Sequence, residues 1–465
     1  MLKESFEHVL EFFSEFFKKE EVWALLLFVG FGVWIIYAFF DALWEILVNF
    51  FRYAWPIILF FVVLPLLSSL WLFIRQAQYK EAMKWVLLEI RIPREVKKSP
   101  QGMEQVLAAI HSLRNAAGDI KEKYWEGEVT RWYTLEMVSF GGEIRFFIRV
   151  YKGQVKLVQS SLFSYYPDVE IAEVEDYMSL FPQTVEEMYE SKRDLWGTEM
   201  ILTKPAAYPI KTYEDFENLA EEKQFDPIST FLEILGNIKK EETVAIHILV
   251  APAGAGWGEK YEDVVEDLKT PKTVIVGGDA ETEGREVPIS HSEVHKDVLK
   301  IVEENLSKPA FDTIVRFVYL SPKEGFSDTF PRRGLAGAFN QYSALNLNGF
   351  RQNHKVGTRT RIWNKPYVFP KIRLEYRKQR MLHWIRKREI PPETWMGKFM
   401  TSYFFCWNFG SKRFLLNTKS VATLFHPPTS VVLTAPHIKR VESRRAGPPA
   451  GLAIFGEEKD IERFG

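Results

Sequence analysis

A single cysteine, Cys406, stands in a chain of 465 residues, so neither an internal disulfide nor a thiolate metal cage can form within it. Net charge is scarce too. Sixty Lys and Arg face 61 Asp and Glu, a balance of −1 that at first sight implies no polyanionic partner. A phosphate-cradling loop is also missing. Gly254, Gly256, Gly258 and Lys260 follow a strong strand, but Glu259 separates the last glycine from the lysine and Tyr261 stands where Ser or Thr would bind Mg²⁺. His291 and His295 have the i, i+4 spacing of metal ligands, yet Ser292 occupies the place of the zincin glutamate and no third ligand is evident. No nucleophile elbow or distinctive carboxylate pair appears, so the sequence predicts a non-enzymatic protein that needs no cofactor. With 46% hydrophobic and 26% charged residues, wholesale disorder is excluded.

What the chain has in plenty is unbroken apolar sequence near its start. Val22–Phe40 is 19 residues without a charge and Ala54–Ile74 is 21. At about 1.5 Å per residue, each matches a bilayer core of roughly 30 Å. Trp23, Trp34, Trp44, Trp55 and Trp71 suit the interfaces, and Pro56 and Pro65 predict a kinked second span. Basic residues lie outside the two runs: Lys3, Lys18 and Lys19 before them, and Arg75, Lys80, Lys84, Arg91 and Arg94 after them. The connector Asp41–Tyr53 has only Arg52. By the positive-inside rule, both termini are expected on the cytoplasmic side of the inner membrane, joined by a helical hairpin over residues 21–75. Residues 1–20 read as an amphipathic helix, with Phe6, Val9, Leu10, Phe13, Phe16 and Phe17 at helical spacing. It would pack on the hairpin or on a second copy of the chain.

The remainder reads as α+β. Within residues 80–178, Trp85–Ile92 alternates as a strand, and Ser99-Pro100 opens a helix with stripe Met103, Val106, Leu107, Ile110 and Leu113. Strands over 128–139 and 143–151 are joined by Gly141-Gly142, then come a helix around Val155–Leu162 and a strand over 169–174. The order β-α-β-β-α-β predicts a ferredoxin-like sandwich. Residues 195–350 repeat that order less cleanly, around an acidic insertion. Strands are expected over 199–203, 243–250, 272–276 and, closing the unit, 313–320, with helices over 228–238 and 290–306. Residues 351–465 form a basic, aromatic extension with a Pro-rich tail. From Arg351 to Ile390 the balance is +11, with five aromatic residues interleaved.

Three readings stay open for that basic segment. It can complement the chain's own acidic stretches. It can contact nucleic acid, with Arg359, Arg361, Arg373, Arg377, Lys378 and Arg380 on phosphates and Trp363 and Trp384 stacking on bases. Or it can meet the anionic headgroups of the leaflet beside the hairpin. The near-zero total charge conceals this asymmetry.

Four stretches also resemble a known family: Trp85–Ser112 (WVLLEIRIPREVKKSPQGMEQVLAAIHS), Thr243–Gly258 (TVAIHILVAPAGAGWG), Gly334–Phe350 (GLAGAFNQYSALNLNGF) and Leu415–Pro449. Together they are similar to the membrane-anchored N-terminal half of TraG/TraD-type coupling ATPases of type IV secretion and conjugative DNA transfer. In such proteins a P-loop motor follows a stretch like Ala435–Pro449, and no Walker A loop occurs here. The resemblance therefore implies an oligomeric, ATPase-less scaffold that docks substrate, with DNA and a separate P-loop ATPase as expected partners.

Overall fold

The computed structural model describes residues 20–38, 40–92, 99–217, 226–270, 273–276, 285–288, 293–359, 369–392, 394–400 and 409–428. The amphipathic segment before residue 20, Arg361, Trp363, His291, Cys406 and the Pro-rich tail lie outside these. The chain divides into two compact units, Met1–Leu70 and Trp71–Gly465.

The first unit is helical where it is described. Glu20–Ala38 is one helix, and Phe40–Ala82 is another of 43 residues, long and apolar enough to cross a membrane. The expected connector Asp41–Tyr53 is thus helical, because it contains no helix breaker and its polar residues share one face with Asn49 and Arg52. Between the two prolines, residues Leu59–Val63 widen into a π-turn in which the Leu64 amide donates to the Leu59 carbonyl. Pro65 has no N–H and its ring crowds the carbonyl four residues earlier, so a wider turn relieves the clash. Apolar side chains here, including Phe31, Trp34, Phe50 and Phe61, are exposed.

The second unit is built on a nine-stranded antiparallel sheet. Its strands are β1 (Trp85–Arg91), β2 (Tyr133–Phe140), β3 (Glu143–Tyr151), β4 (Glu170–Val174), β5 (Arg193–Leu202), β6 (Thr243–Pro252), β9 (Ala310–Pro322), β10 (Phe350–Gln352) and β11 (Phe414–Asn417). The spatial order is β10-β5-β9-β6-β2-β3-β1-β4, with β11 extending alongside β9. Gly141 and Gly142 close the β2–β3 hairpin at φ +58° and +95°, a left-handed pair that side-chain-bearing residues rarely adopt. Both expected sandwich segments therefore share one sheet, joined where β2 pairs with β6. Two details differ from expectation. Among the described residues, Thr273–Val276 (β7) pairs only with Arg285–Pro288 (β8), in a separate ribbon, and β9 lies in the sheet's interior instead of closing it.

Each face of the sheet has its own core. Helices Gln101–Ser112, Val155–Tyr165, Ser229–Gly236 and Thr418–Leu424 cover one face, burying Leu88, Leu135, Ile148, Ile246 and Phe317 among others. Helix Pro370–Lys387 and the segment from Tyr177 to Met188 cover the other, over Leu87, Val138, Ala245, Val318 and Leu195.

Candidate functional site

Each of four neighbouring strands carries one ionisable residue near its middle, and the register sets the four side by side. Glu199 of β5 pairs with Arg316 of β9, Arg316 with His247 of β6, and His247 with Glu136 of β2. In-register residues project from the same face. The result is a row, Glu199–Arg316–His247–Glu136, across the middle of the sheet, and all four side chains are completely buried.

Burial of this kind is tolerable only with full pairing, and nearly every polar atom has a partner. Arg316 donates Nε and Nη2 to Glu199 Oε1 (3.1 and 2.6 Å) and Nη1 to the Trp384 carbonyl (2.8 Å). The Ser411 hydroxyl donates to both Glu199 oxygens. At the other end Arg388 caps Glu136, with Nε 2.8 Å from Oε1, and its Nη atoms reach Asp176 at 2.7 and 3.0 Å. The Tyr177 hydroxyl donates to Glu136 and lies 2.6 Å from His247 Nε2, so that nitrogen carries the proton toward the tyrosine oxygen. Nδ1 of His247 is buried with no hydrogen-bond partner. Arg388 sits at φ +50°, where it ends helix Pro370–Lys387 and turns back over the sheet.

These surroundings fix the protonation states. Burial, reinforced by the Arg388, Arg316 and Arg149 guanidiniums, drives the His247 pKa well below the usual imidazole value, so it is neutral. Burial pushes the Glu136 carboxyl up, against the opposing pull of Arg388 and the Tyr177 hydrogen bond. Arg149, largely desolvated and facing Arg388, is lowered to about 10. Burial raises Asp176 but the Arg388 hydrogen bonds outweigh it, leaving its pKa below the ordinary carboxylate value.

Helix Pro370–Lys387 turns the basic segment inward. Arg373, Arg377, Met381, Trp384 and Arg388 recur at helical spacing on the side that faces the sheet. Arg373, Arg377, Lys378 and Trp384 are accordingly buried. Arg377 Nη1 donates to the carbonyls of Gly357 (2.8 Å) and Arg359 (2.9 Å), and Lys378 Nζ pairs with Asp194 at 2.6 Å. Arg359 lies 3.8 Å from Asp328, and Arg380 donates to the Tyr376 hydroxyl; both are half-buried. Of the expected phosphate contacts, these two alone keep accessible side chains among the described residues. The exposed cations of the segment are others: Arg351, Lys355, Lys371 and Lys387. The glycine-rich Gly254–Lys260 stretch is structural, with Trp257 buried and its indole donating to the Lys308 carbonyl.

A model for the family described as Domain of unknown function (DUF8128) matches residues 75–361, more than half of the chain. The chain belongs to this family. A search of curated proteins finds no match. The DUF8128 segment contains the whole ion row, whereas Arg388 and the helix that carries it lie beyond its end. Sequence reasoning passed over the row. Its signal was an ionisable residue near the middle of each of four largely apolar strands, a placement that burial tolerates only when the charges are paired.

Proposed function

We propose that this DUF8128 protein is a non-catalytic, membrane-anchored scaffold and docking component of a type IV secretion or conjugation-like translocation machine, working with a P-loop ATPase in trans. The observation that carries this reading is the closed ion row: the ionisable side chains at the middle of the sheet are fully buried and spent on one another and on Arg388. A general acid or base has to reach its substrate, and a sealed row instead serves to fix how the layers pack. The apolar helix Phe40–Ala82 supplies an anchor, with lipid covering the side chains exposed on it. Two crossings, one through Glu20–Ala38, would leave both termini cytoplasmic.

The body is best read as two ferredoxin-like units joined edge to edge. In the first unit the strands lie in the order β4-β1-β3-β2, and in the second β10-β5-β9-β6, the same order counted within each unit. Every pairing is antiparallel. Glu89 and Glu199 occupy matching places, each on its unit's first strand. Such a tandem offers a broad, rigid platform of the kind a multi-component machine assembles on.

Photo-crosslinking of the full chain in native membranes tests the reading. Recovery of a Walker-A-containing ATPase attached to the body supports it. Recovery of lipid and further copies of the chain alone favours a structural membrane protein instead. Single-stranded DNA binding that falls steeply with salt would add a direct role in handling the transported substrate.

A further inference from the structure

Apart from the ion row, the body holds a cavity of about 240 Å³ whose walls include Lys80, Arg114, Lys123 and Arg413, with Trp132 and a single carboxylate, Glu128. The four cations come from four separate segments: the end of helix Leu64–Ala82, the chain after helix Gln101–Ser112, the turn Glu122–Glu126, and the residue before β11. The Glu128 carboxylate accepts from Asn115 Nδ2 at 2.5 Å and from the Tyr79 hydroxyl at 3.4 Å, and lies 3.9 Å from Arg131, while Arg413 lies 3.7 Å from Asp312. Two of the cations are held in place. Lys80 Nζ donates to the Ile390 carbonyl and lies 5.7 Å from the Trp132 ring centre, and Arg114 Nε donates to the Pro252 carbonyl. A guanidinium has five donors, and Pro252 takes only the one on Nε. Basic groups gathered around a cavity much larger than a water molecule (~30 Å³) favour the entry of an anion.

We propose that this cavity binds a phosphate group, and that its source is the headgroup of an anionic phospholipid. The choice of source rests on the membrane-anchor reading above. Gln76 and Lys80 line the cavity from helix Leu64–Ala82, whose sequence begins in the apolar run. Nearby, Trp71 and Trp125 meet edge to face at 6.4 Å, and Trp125 is 66% exposed two residues from Lys123. Exposed indoles beside lysines are the pairing that settles at headgroup level. Arg114 and Arg413 add the forked donors that match phosphate oxygens.

Lipid retention by the full chain, reconstituted in nanodiscs of phosphatidylcholine with phosphatidylglycerol and then extracted in mild detergent, tests the assignment by native mass spectrometry. The exposed pair Arg114→Gln/Lys123→Gln is compared with a distant pair that loses the same charge, Lys156→Gln/Lys239→Gln. Retained phosphatidylglycerol should fall about tenfold in the first and stay at the wild-type level in the second, as expected for the loss of two partly screened ionic contacts. Equal retention in all three proteins, or equal loss in both variants, overturns the site. A second arm adds inorganic phosphate to detergent-purified protein at constant ionic strength. A melting shift that needs Arg114 and Lys123, without lipid retention, overturns the lipid source and assigns the cavity to soluble phosphate. Alkaline carbonate extraction of native membranes reports the anchor separately. Release of the chain there overturns the membrane reading, while the phosphate arm still decides the cavity.

Discussion

Replacing Arg388 by methionine removes the one guanidinium that caps the Glu136 end of the buried row. At 2.8 Å the Arg388–Glu136 attraction is about 6 kcal/mol at an effective dielectric near 20. Desolvation of the two ions offsets much of that in the intact protein, so the pair itself adds little net stability. Once Arg388 is gone, however, the buried Glu136 carboxylate keeps Tyr177 and a neutral His247 as hydrogen-bonding neighbours, and the Arg149 guanidinium acts on it only through space. Breaking such a pair from one side costs about 3–5 kcal/mol. The Asp176 side chain is half exposed, so it rehydrates and contributes little to that loss. With about 2 °C per kcal/mol for a body of this size, the melting temperature of Arg388→Met should fall by roughly 6–10 °C. Pairing the change with Glu136→Leu removes the stranded charge as well and should return stability to within about 1–2 kcal/mol of wild type. The assay is urea or thermal unfolding of the full chain in detergent, followed by tryptophan fluorescence, as a double-mutant cycle. Additive single effects, or a loss below about 1 kcal/mol in Arg388→Met, would refute the view that this pair seals the row.

Other outcomes follow from neighbouring geometry. His247 stays neutral in the fold while its unfolded form takes a proton below about pH 6.5, so stability should fall toward acid by about 1.4 kcal/mol per pH unit, and His247→Gln should flatten that limb of the pH–stability curve. Burial lowers the pKa of His426, but Asp226 at 2.8 Å outweighs it and raises the value; its contribution is therefore intact below the unfolded pKa and lost as pH rises through the folded one, so His426→Gln should cost stability mainly at acidic pH. Gly127 has φ +71° and an added Cβ would collide with the Arg75 backbone, so Gly127→Ala should destabilise by about 2 kcal/mol or more, read in the same unfolding assay. Arg377→Ala should cost about 1–3 kcal/mol by removing the guanidinium's hydrogen bonds to the Gly357 and Arg359 carbonyls, while single-stranded DNA affinity of the folded protein, measured by anisotropy, stays unchanged. Ending the chain after residue 361 should give an aggregating product in size-exclusion chromatography, even though the family match is intact.

Local pattern revealed much of the architecture, and pairing at a distance escaped it. Alternation over Trp85–Ile92, the stripe from Met103 to Leu113 and the Gly141-Gly142 turn each depend on neighbours within a few residues, and the corresponding strand, helix and hairpin are present. The strand over 313–320 was also legible, but its place between β5 and β6 depends on partners about 70 and 120 residues away, and nothing in its own sequence names them. The basic segment was misleading for a related reason. A +11 stretch looks like a solvated surface, yet the apolar positions Met381, Leu382, Trp384 and Ile385, extended back by helical period, fall on Arg373, Arg377 and Lys378. That period turns these basic residues inward, and the groups that accept from them, the Gly357 and Arg359 carbonyls for Arg377 and Asp194 for Lys378, lie outside the helix.

That relation also separates the family boundary from the folding unit. Residues 75–361 provide eight of the nine strands and the ion row, but both faces are finished by later sequence. Helix Pro370–Lys387 lays Met381, Leu382 and Ile385 over one face, and Arg388 follows to cap Glu136. On the other face Leu416, Val421, Leu424 and Phe425 join the core against helix Gln101–Ser112. Without those additions a fully apolar face and a buried-type carboxylate would meet water together, each the wrong neighbour for the other. The cation that caps this acid lies 252 residues further along the chain, so this acid and its cation, far apart in sequence, meet only in the folded body.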